Sequence, residues 1–321
     1  MLTTRSITEI IRQRYSVRRY QNTPIAAVTQ AELQYRLEAI REGPLGTPVR
    51  LKLVAAAADD SQSLRGLGTY GLIKNPTGFI VGAVRAKEHA GAKEHAGAKE
   101  HAGAKEHVGA KEHAGAEEHA LEDFGYAMEQ AILEATDLGL GTCWLGGNFT
   151  QSSFAKRMEK RADEIVPAVS SVGYAEADSR TRDSLRQRVH ADHRLPWESL
   201  FFVGQFGTPL TPQSAGVYAE ALDMLRLAPS ASNKQPWRVI RDGQRWHFYC
   251  QRTPGYGKGS VIFILLGLAD LQRIDIGIAM CHFEMTARQQ GLNGAWVSAD
   301  PDLPAIDKNT VYITSWQEKD A

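Results

Sequence analysis

The chain has 321 residues, in which 37 Lys plus Arg balance 37 Asp plus Glu. That length can bury one large or two moderate cores, and the balanced charge offers no net field for nucleic acid or an anionic membrane. Three cysteines without a CxxC pair suit buried thiols in a reducing compartment better than a disulfide framework.

The N-terminus has no signal-peptide core, so the chain is expected to be cytoplasmic. Arg14-Tyr15-Ser16-Val17-Arg18-Arg19-Tyr20 follows. Arg14 and Arg18 lie four apart, so on a helix they share a face. The arginine donor fork suits phosphate, and Ser16 adds a hydroxyl. A basic surface face would show the same pattern. Gly66-Leu67-Gly68-Thr69-Tyr70-Gly71 formally matches GxGxxG, but Pro76 opposes the helix that a dinucleotide fingerprint needs. Gly78 to Val84 reads as a short buried strand.

Residues 86–119 repeat Ala-Lys-Glu-His-Ala-Gly. A step of six residues turns ~600° along a helix, so successive histidines face different ways and no two share a zinc at i, i+4. Gly in every repeat also weakens a helix by about 1 kcal/mol each. A solvated surface insert is expected, with no metal site.

Asp123-Phe124-Gly125-Tyr126-Ala127-Met128 opens a helix-like run that ends at Gly139, and Gly141-Thr142-Cys143-Trp144-Leu145-Gly146-Gly147 follows. His190-Ala191-Asp192-His193 could hold a metal only with further ligands and reads as a solvated helix end. Beyond an amphipathic run from Val217 to Leu225 comes Leu227-Ala228-Pro229-Ser230-Ala231-Ser232-Asn233-Lys234-Gln235-Pro236-Trp237. Its prolines fix φ and remove donors, while Ser230, Ser232, Asn233 and Gln235 present polar groups at nearly fixed positions. Such a loop suits the polar edge of a planar heterocycle, and it equally suits a capped helix junction. Gly255 to Ser260 lacks the phosphate-loop spacing and reads as a loop. Val261 to Leu266, the longest purely apolar run, reads as a buried strand and is too short for a bilayer.

An internal repeat organises these pieces. Aligning Asp123 with Asp275 pairs Gly125 with Gly277, Ala135 with Ala287, Gly139 with Gly291, Leu140 with Leu292 and Trp144 with Trp296. Gly43-Pro44-Leu45-Gly46-Thr47-Pro48 parallels the segment from Ala228 to Arg238, and Gly78–Val84 parallels the Val261 strand. Two half-units are expected, 1–205 and 206–321, with the insert in the first.

Three of these segments resemble signatures of the nitroreductase family of FMN-dependent NAD(P)H oxidoreductases. The Arg14 to Tyr20 segment is similar to RRSxRxF with Tyr15 in place of the second Arg, Gly139 to Gly147 is similar to GLGTCWIGG, and Ala228 to Trp237 is similar to APSxxNxQPW. The third normally precedes the second; here it comes last. The resemblance implies an α+β nitroreductase-like fold, carried as a tandem pseudo-dimer within one chain, which permits a monomer. It implies one complete FMN site, because only the second half keeps the Ser and Asn of the loop and only the first keeps RxSxR. Carried over residue by residue, the FMN-binding set is Arg14, Ser16, Arg18, Gly71, Leu145, Gly146, Gly147, Arg194, Pro229, Ser230, Ala231 and Asn233. Asp192 stands where relatives often have a second basic residue. The backbone N–H near Gly147 is implied to meet the hydride-accepting nitrogen of the flavin. No general acid or base is implied, since the flavin carries the chemistry. The implied activity is ping-pong electron transfer from NADH or NADPH to a small nitroaromatic, quinone or similar acceptor. The alternatives are a flavin-binding or structural protein without turnover, and FMN chemistry of a non-nitro kind.

Overall fold

The computed structural model describes residues 5–56, 64–85, 119–254, 269–304 and 307–319. The hexapeptide insert up to residue 118, the Gly255–Ser260 loop and the Val261–Leu266 run lie outside the described residues. The first part of the chain forms α1 (Ile7–Gln13), α2 (Ala27–Ala39), β1 (Val49–Ala55), β2 (Gly78–Arg85), α3 (Ala120–Asp137), β3 (Gly141–Leu145), α4 (Gln151–Met158), β4 (Glu164–Ile165), β5 (Val169–Gly173) and α5 (Ser184–Arg188). There follow β6 (Phe201–Val203), β7 (Gln205–Pro209), α6 (Pro212–Ala215), α7 (Ala219–Arg226), β8 (Trp237–Asp242), β9 (Arg245–Gln251), α8 (Leu271–Gln289), β10 (Gly294–Val297) and β11 (Thr310–Glu318). No described helix is long and apolar enough to cross a membrane.

The described strands make two sheets. One runs β1-β2-β5-β3 with β4 beside β2, and the other runs β10-β11-β9-β8-β6-β7. All pairings are antiparallel except that of β6 with β8. The succession β1-β2-β5-β3 is repeated as β8-β9-β11-β10. Gly78–Arg85 is the buried strand its sequence suggests, with Phe79, Ile80 and Val81 fully buried. Among the described strands its counterpart in sheet order is β9, hydrogen-bonded between β8 and β11. Every residue of β9 from Trp246 to Cys250 is buried.

Helices α3 and α8 pack against each other between the sheets. Most of their residues are buried, so neither shows a single apolar stripe. They cross at two glycines related by the sequence repeat. A β-carbon on Gly125 would overlap the Ile274 carbonyl, and one on Gly277 would overlap the Glu122 carbonyl. Both helices end alike. Gly139 and Gly291 adopt φ of 78°, a left-handed cap that glycine enters without steric cost. Leu140 N–H then donates to Ala135 O, and Leu292 N–H to Ala287 O. The helix aspartates repeat too: Asp123 accepts from the N–H groups of Leu45 and Thr47, and Asp275 accepts from Ala231 N–H. The parallel between the Gly43 and Pro229 loops is therefore present in space.

The core of the second sheet is aromatic. Phe283 on α8 stacks on Tyr218 at 5.7 Å and meets Phe248 edge-on at 5.3 Å. Such pairs add to the area they bury. A buried arginine, Arg36, ties α2 to α3 through Glu134 and Asp137, each at 2.9 Å.

Candidate anion and cofactor site

The Arg14 motif is not helical. Helix α1 stops at Gln13, and Arg14 turns out at φ −62° and ψ 129°. Ser16 then bridges Thr142 of β3 in parallel fashion, and Val17 N–H donates to Thr142 O at 2.7 Å. The helical reading is thus corrected: the backbone partner supplied by β3 wins over local helix propensity. In an extended chain Arg14, Ser16 and Arg18 still share a side, because alternate residues point the same way. The Gly71 turn is held beside this segment, since Lys74 N–H donates to Arg18 O and Tyr20 N–H to Lys74 O. Gly71 itself lies at φ 75° in an exposed turn with no helix after it, as Pro76 anticipates.

Strand β3 delivers the glycines. Leu145 is buried, and Gly146 and Gly147 are half-buried just beyond it. A β-carbon on Gly146 would stand 2.7 Å from Leu271, the first residue of α8, so the strand end abuts the second central helix. Trp144 packs, as its position suggests: its indole N–H donates to Glu129 at 2.7 Å.

The loop from Pro229 to Gln235 arrives from the other side. Ser232, Asn233 and Gln235 all have φ near +50°, at 51°, 54° and 50°. Non-glycine residues held there carry strain that surrounding contacts must offset. Those contacts are visible. Ala231 N–H donates to Asp275 at 3.0 Å, Gln235 N–H donates to Ser230 Oγ at 2.8 Å, and Asn233 Nδ2 donates to the carbonyls of His190 and His193. Gln235 Oε1 accepts from Leu195 N–H at 2.9 Å, so two side chains stitch this loop to the segment carrying Arg194. Burial pushes the Asp275 carboxyl well above its usual range, against the Ala231 hydrogen bond. Replacing the buried Gln235 by Ala should leave Leu195 N–H without its partner and cost about 1–3 kcal/mol, read by urea unfolding. An unchanged midpoint would mean that the stitch contributes nothing.

Arginines converge where these pieces meet. Arg14 is almost fully buried, 3.5 Å from Glu129 Oε1, while Arg18 pairs with Asp183 at 2.5 Å. Arg194 donates to three backbone carbonyls, those of Ala191, His193 and Leu227. The Nε groups of Arg18 and Arg194 are buried and make no hydrogen bond, and the buried Nε of Arg14 has only its ion pair with Glu129. Burial lowers Arg194 to about 10, and the charges of Arg14, Arg186 and Arg226 push it the same way. Arg14 is lowered too, by burial first, with Arg186 adding to it. Buried cations repel one another here while keeping donors in reserve, an arrangement that an anion with several acceptor oxygens relieves. Among the described residues no cluster of His, Cys, Asp and Glu could hold a metal ion.

The structure brings Arg14, Ser16, Arg18, Arg194 and Asn233 into one connected region. It leaves Ser230 Oγ, Ala231 N–H and the Asn233 amide engaged in holding their own loop. Sequence reading missed Glu129, Asp183, Arg186 and Asp275. The internal repeat singled out Asp275 as an aligned position, whereas Arg186 carries no local signal.

A family model described as Putative TM nitroreductase matches residues 72–287, about two thirds of the chain. No curated protein matches. Among solved structures, a putative nitroreductase from Thermotoga maritima is 18% identical, with 98% of this chain and 94% of that one covered at a TM-score of 0.53. A nitroreductase with bound FMN from Bacteroides fragilis is 19% identical, with 56% of this chain and 94% of that one covered at a TM-score of 0.36. The Thermotoga structure shares the fold over nearly the whole length of both chains. With two thirds of its sequence matching the family model and this α+β architecture in place, the chain belongs to the TM nitroreductase family and has a nitroreductase-like fold.

Proposed function

We propose that this chain is an FMN-dependent oxidoreductase with one flavin site. The observation that carries the reading is a set of buried arginines, in which the Nε groups of Arg18 and Arg194 make no hydrogen bond and the charge of Arg14 bears on Arg194. These residues fit a phosphate-bearing planar cofactor. Arg14, Arg18 and Arg194 would take the phosphate and ribityl side, with Ser16 adding its hydroxyl. Pro229, Ser230, Ala231 and Asn233 would border the ring from the second half, and Gly71, Leu145, Gly146 and Gly147 would border it from the first. When bound, the flavin supplies reversible two-electron chemistry that no side chain here offers. The chain's own part is orientation. Asp275 holds the strained loop in place, and Glu129 holds Arg14. Gly146 gives the close approach that a side chain would block.

The same reading divides the chain into half-units 1–205 and 206–321 that form a tandem pseudo-dimer. The repeated strand order, the paired helix aspartates and the glycine crossing support it. Strand β6 then passes from the first half into the second sheet beside β8. The half-units face each other within one chain, so a monomer suffices. The reductant is NADH or NADPH, the acceptor is a small nitroaromatic, quinone or similar molecule, and the setting is cytoplasmic. Binding without turnover is the second reading, and it is favoured by the loop groups already engaged in internal hydrogen bonds.

The test is the visible absorption spectrum of protein purified with excess FMN, before and after anaerobic NADH or NADPH. About one flavin per chain that bleaches on addition is the expected result. Bound flavin that never bleaches with either nucleotide would support binding without turnover, and absence of flavin after reconstitution would sink both readings.

A further inference from the structure

Two positions that depart from the family pattern, Tyr15 and Asp192, meet in space at the same pair of arginines. The guanidinium carbons of Arg180 and Arg186 lie 5.4 and 5.6 Å from the centre of the Tyr15 ring. The Tyr15 hydroxyl is held by Ser179 Oγ at 2.7 Å, which sets the ring plane. The Asp192 carboxylate bridges both arginines, at 3.2 Å to Arg180 and in a short hydrogen bond to Arg186. Arg180, Arg186 and Asp192 line a surface depression of about 530 Å³ together with His190 and His193.

The two partners of the Arg186–Asp192 pair are unlike in burial. The Arg186 side chain is 7% exposed and the Asp192 side chain 67%. A carboxylate in water is screened and holds its partner weakly, whereas a buried guanidinium needs a counter-charge. Arg186 lies over the ring of Tyr15, the residue that follows Arg14, and its charge bears on both Arg14 and Arg194. A phosphate monoester brings about two negative charges and three acceptor oxygens, more than one carboxylate offers to this group of cations.

The geometry points to Arg186 as a further cation of the flavin phosphate clamp beside Arg14, Arg18 and Arg194, and to Asp192 as an internal placeholder that the phosphate displaces. This rests on the FMN reading above. The chain has replaced the basic residue expected at 192 by an arginine from α5. The ring of Tyr15 is the positioning element that keeps Arg186 aimed when Asp192 lets go. Asp192 is exposed, so releasing it to solvent costs little.

The test compares FMN with riboflavin, which lacks the phosphate, by quenching of flavin fluorescence in titrations of flavin-stripped protein at fixed salt. The wild type should bind FMN more tightly than riboflavin. Arg186→Gln should weaken FMN by about tenfold to a hundredfold and leave riboflavin unchanged, the loss of a charged hydrogen-bond donor to phosphate. Asp192→Asn should tighten FMN by about threefold or more, again without effect on riboflavin. Opposite signs at the two positions are the signature. FMN bound equally by the wild type and a folded Arg186→Gln, or bound more weakly by Asp192→Asn, overturns the clamp while the FMN reading stands. Should Arg186→Gln fail to fold, the exposed Asp192→Asn decides by itself. A wild type that binds neither flavin overturns the FMN reading and the clamp together.

Discussion

Replacing Gly277 with alanine should destabilise the protein by about 3 kcal/mol or more, a cost at the upper end for overpacking. The added methyl group would overlap the Glu122 carbonyl, which is backbone of the facing helix and cannot rotate away. Alanine favours the helix by about 1 kcal/mol over glycine, so the packing cost must exceed that gain for the net effect to appear. Gly125→Ala meets the Ile274 carbonyl in the same manner and should behave alike. By contrast, Gly46→Ala meets no atom within 4 Å and pays only for its left-handed φ of 93°. Urea unfolding of the three variants separates these terms. If Gly277→Ala unfolds at the wild-type midpoint, the close crossing of α3 and α8 is not a feature of the molecule in solution.

The second large effect is a loss of stability from mildly acidic to neutral pH. Burial holds the Glu122 carboxyl up at about 7, outweighing the attraction of Arg273. Burial likewise holds Asp123 at about 6, although Leu45 and Thr47 donate to it. Between the ordinary carboxylate range and these values the folded chain keeps protons that the unfolded chain has released. Their stabilising contribution is therefore complete near pH 4 and is lost as pH rises through 6 and 7. For Glu122 alone the loss is roughly 3 kcal/mol. Glu164 acts in the other direction: against its burial, hydrogen bonds from Arg50 lower it. Its contribution disappears only as pH falls below the usual carboxylate range, so the two effects occupy separate windows. The thermal midpoint should peak near pH 5 and fall toward pH 8, and Glu122→Gln should flatten that fall between pH 5 and 7. A wild-type midpoint that stays level from pH 5 to 8 would show that these carboxyls ionise freely in the folded chain.

Much of the architecture is legible in the sequence. Helix ends at Gly139 and Gly291, the pairing of Asp123 with Asp275 and the strand at Gly78–Arg85 are local or repeated patterns, and local chemistry enforces them. A left-handed cap needs glycine, and a buried strand needs consecutive apolar residues. The family followed from three short motifs. Their unusual order followed from the repeat.

Other features depended on partners far along the chain. Arg14 to Tyr20 is extended because Thr142 offers a backbone bridge, and no pattern within seven residues reports that. Among the described strands β9 takes in the second sheet the place that β2 takes in the first, because sheet order is set by which edges pair. The sequence of the Pro229 loop suits a heterocycle edge and a helix junction equally, and only the fold shows that Asp275, His190 and His193 engage several of its polar groups. The arginine cluster is the clearest case. Sequence spacing placed Arg14 and Arg18 on one side of an element. Only folding brought Arg186 and Arg194 beside them, because the charge a group feels depends on what distant segments bury with it.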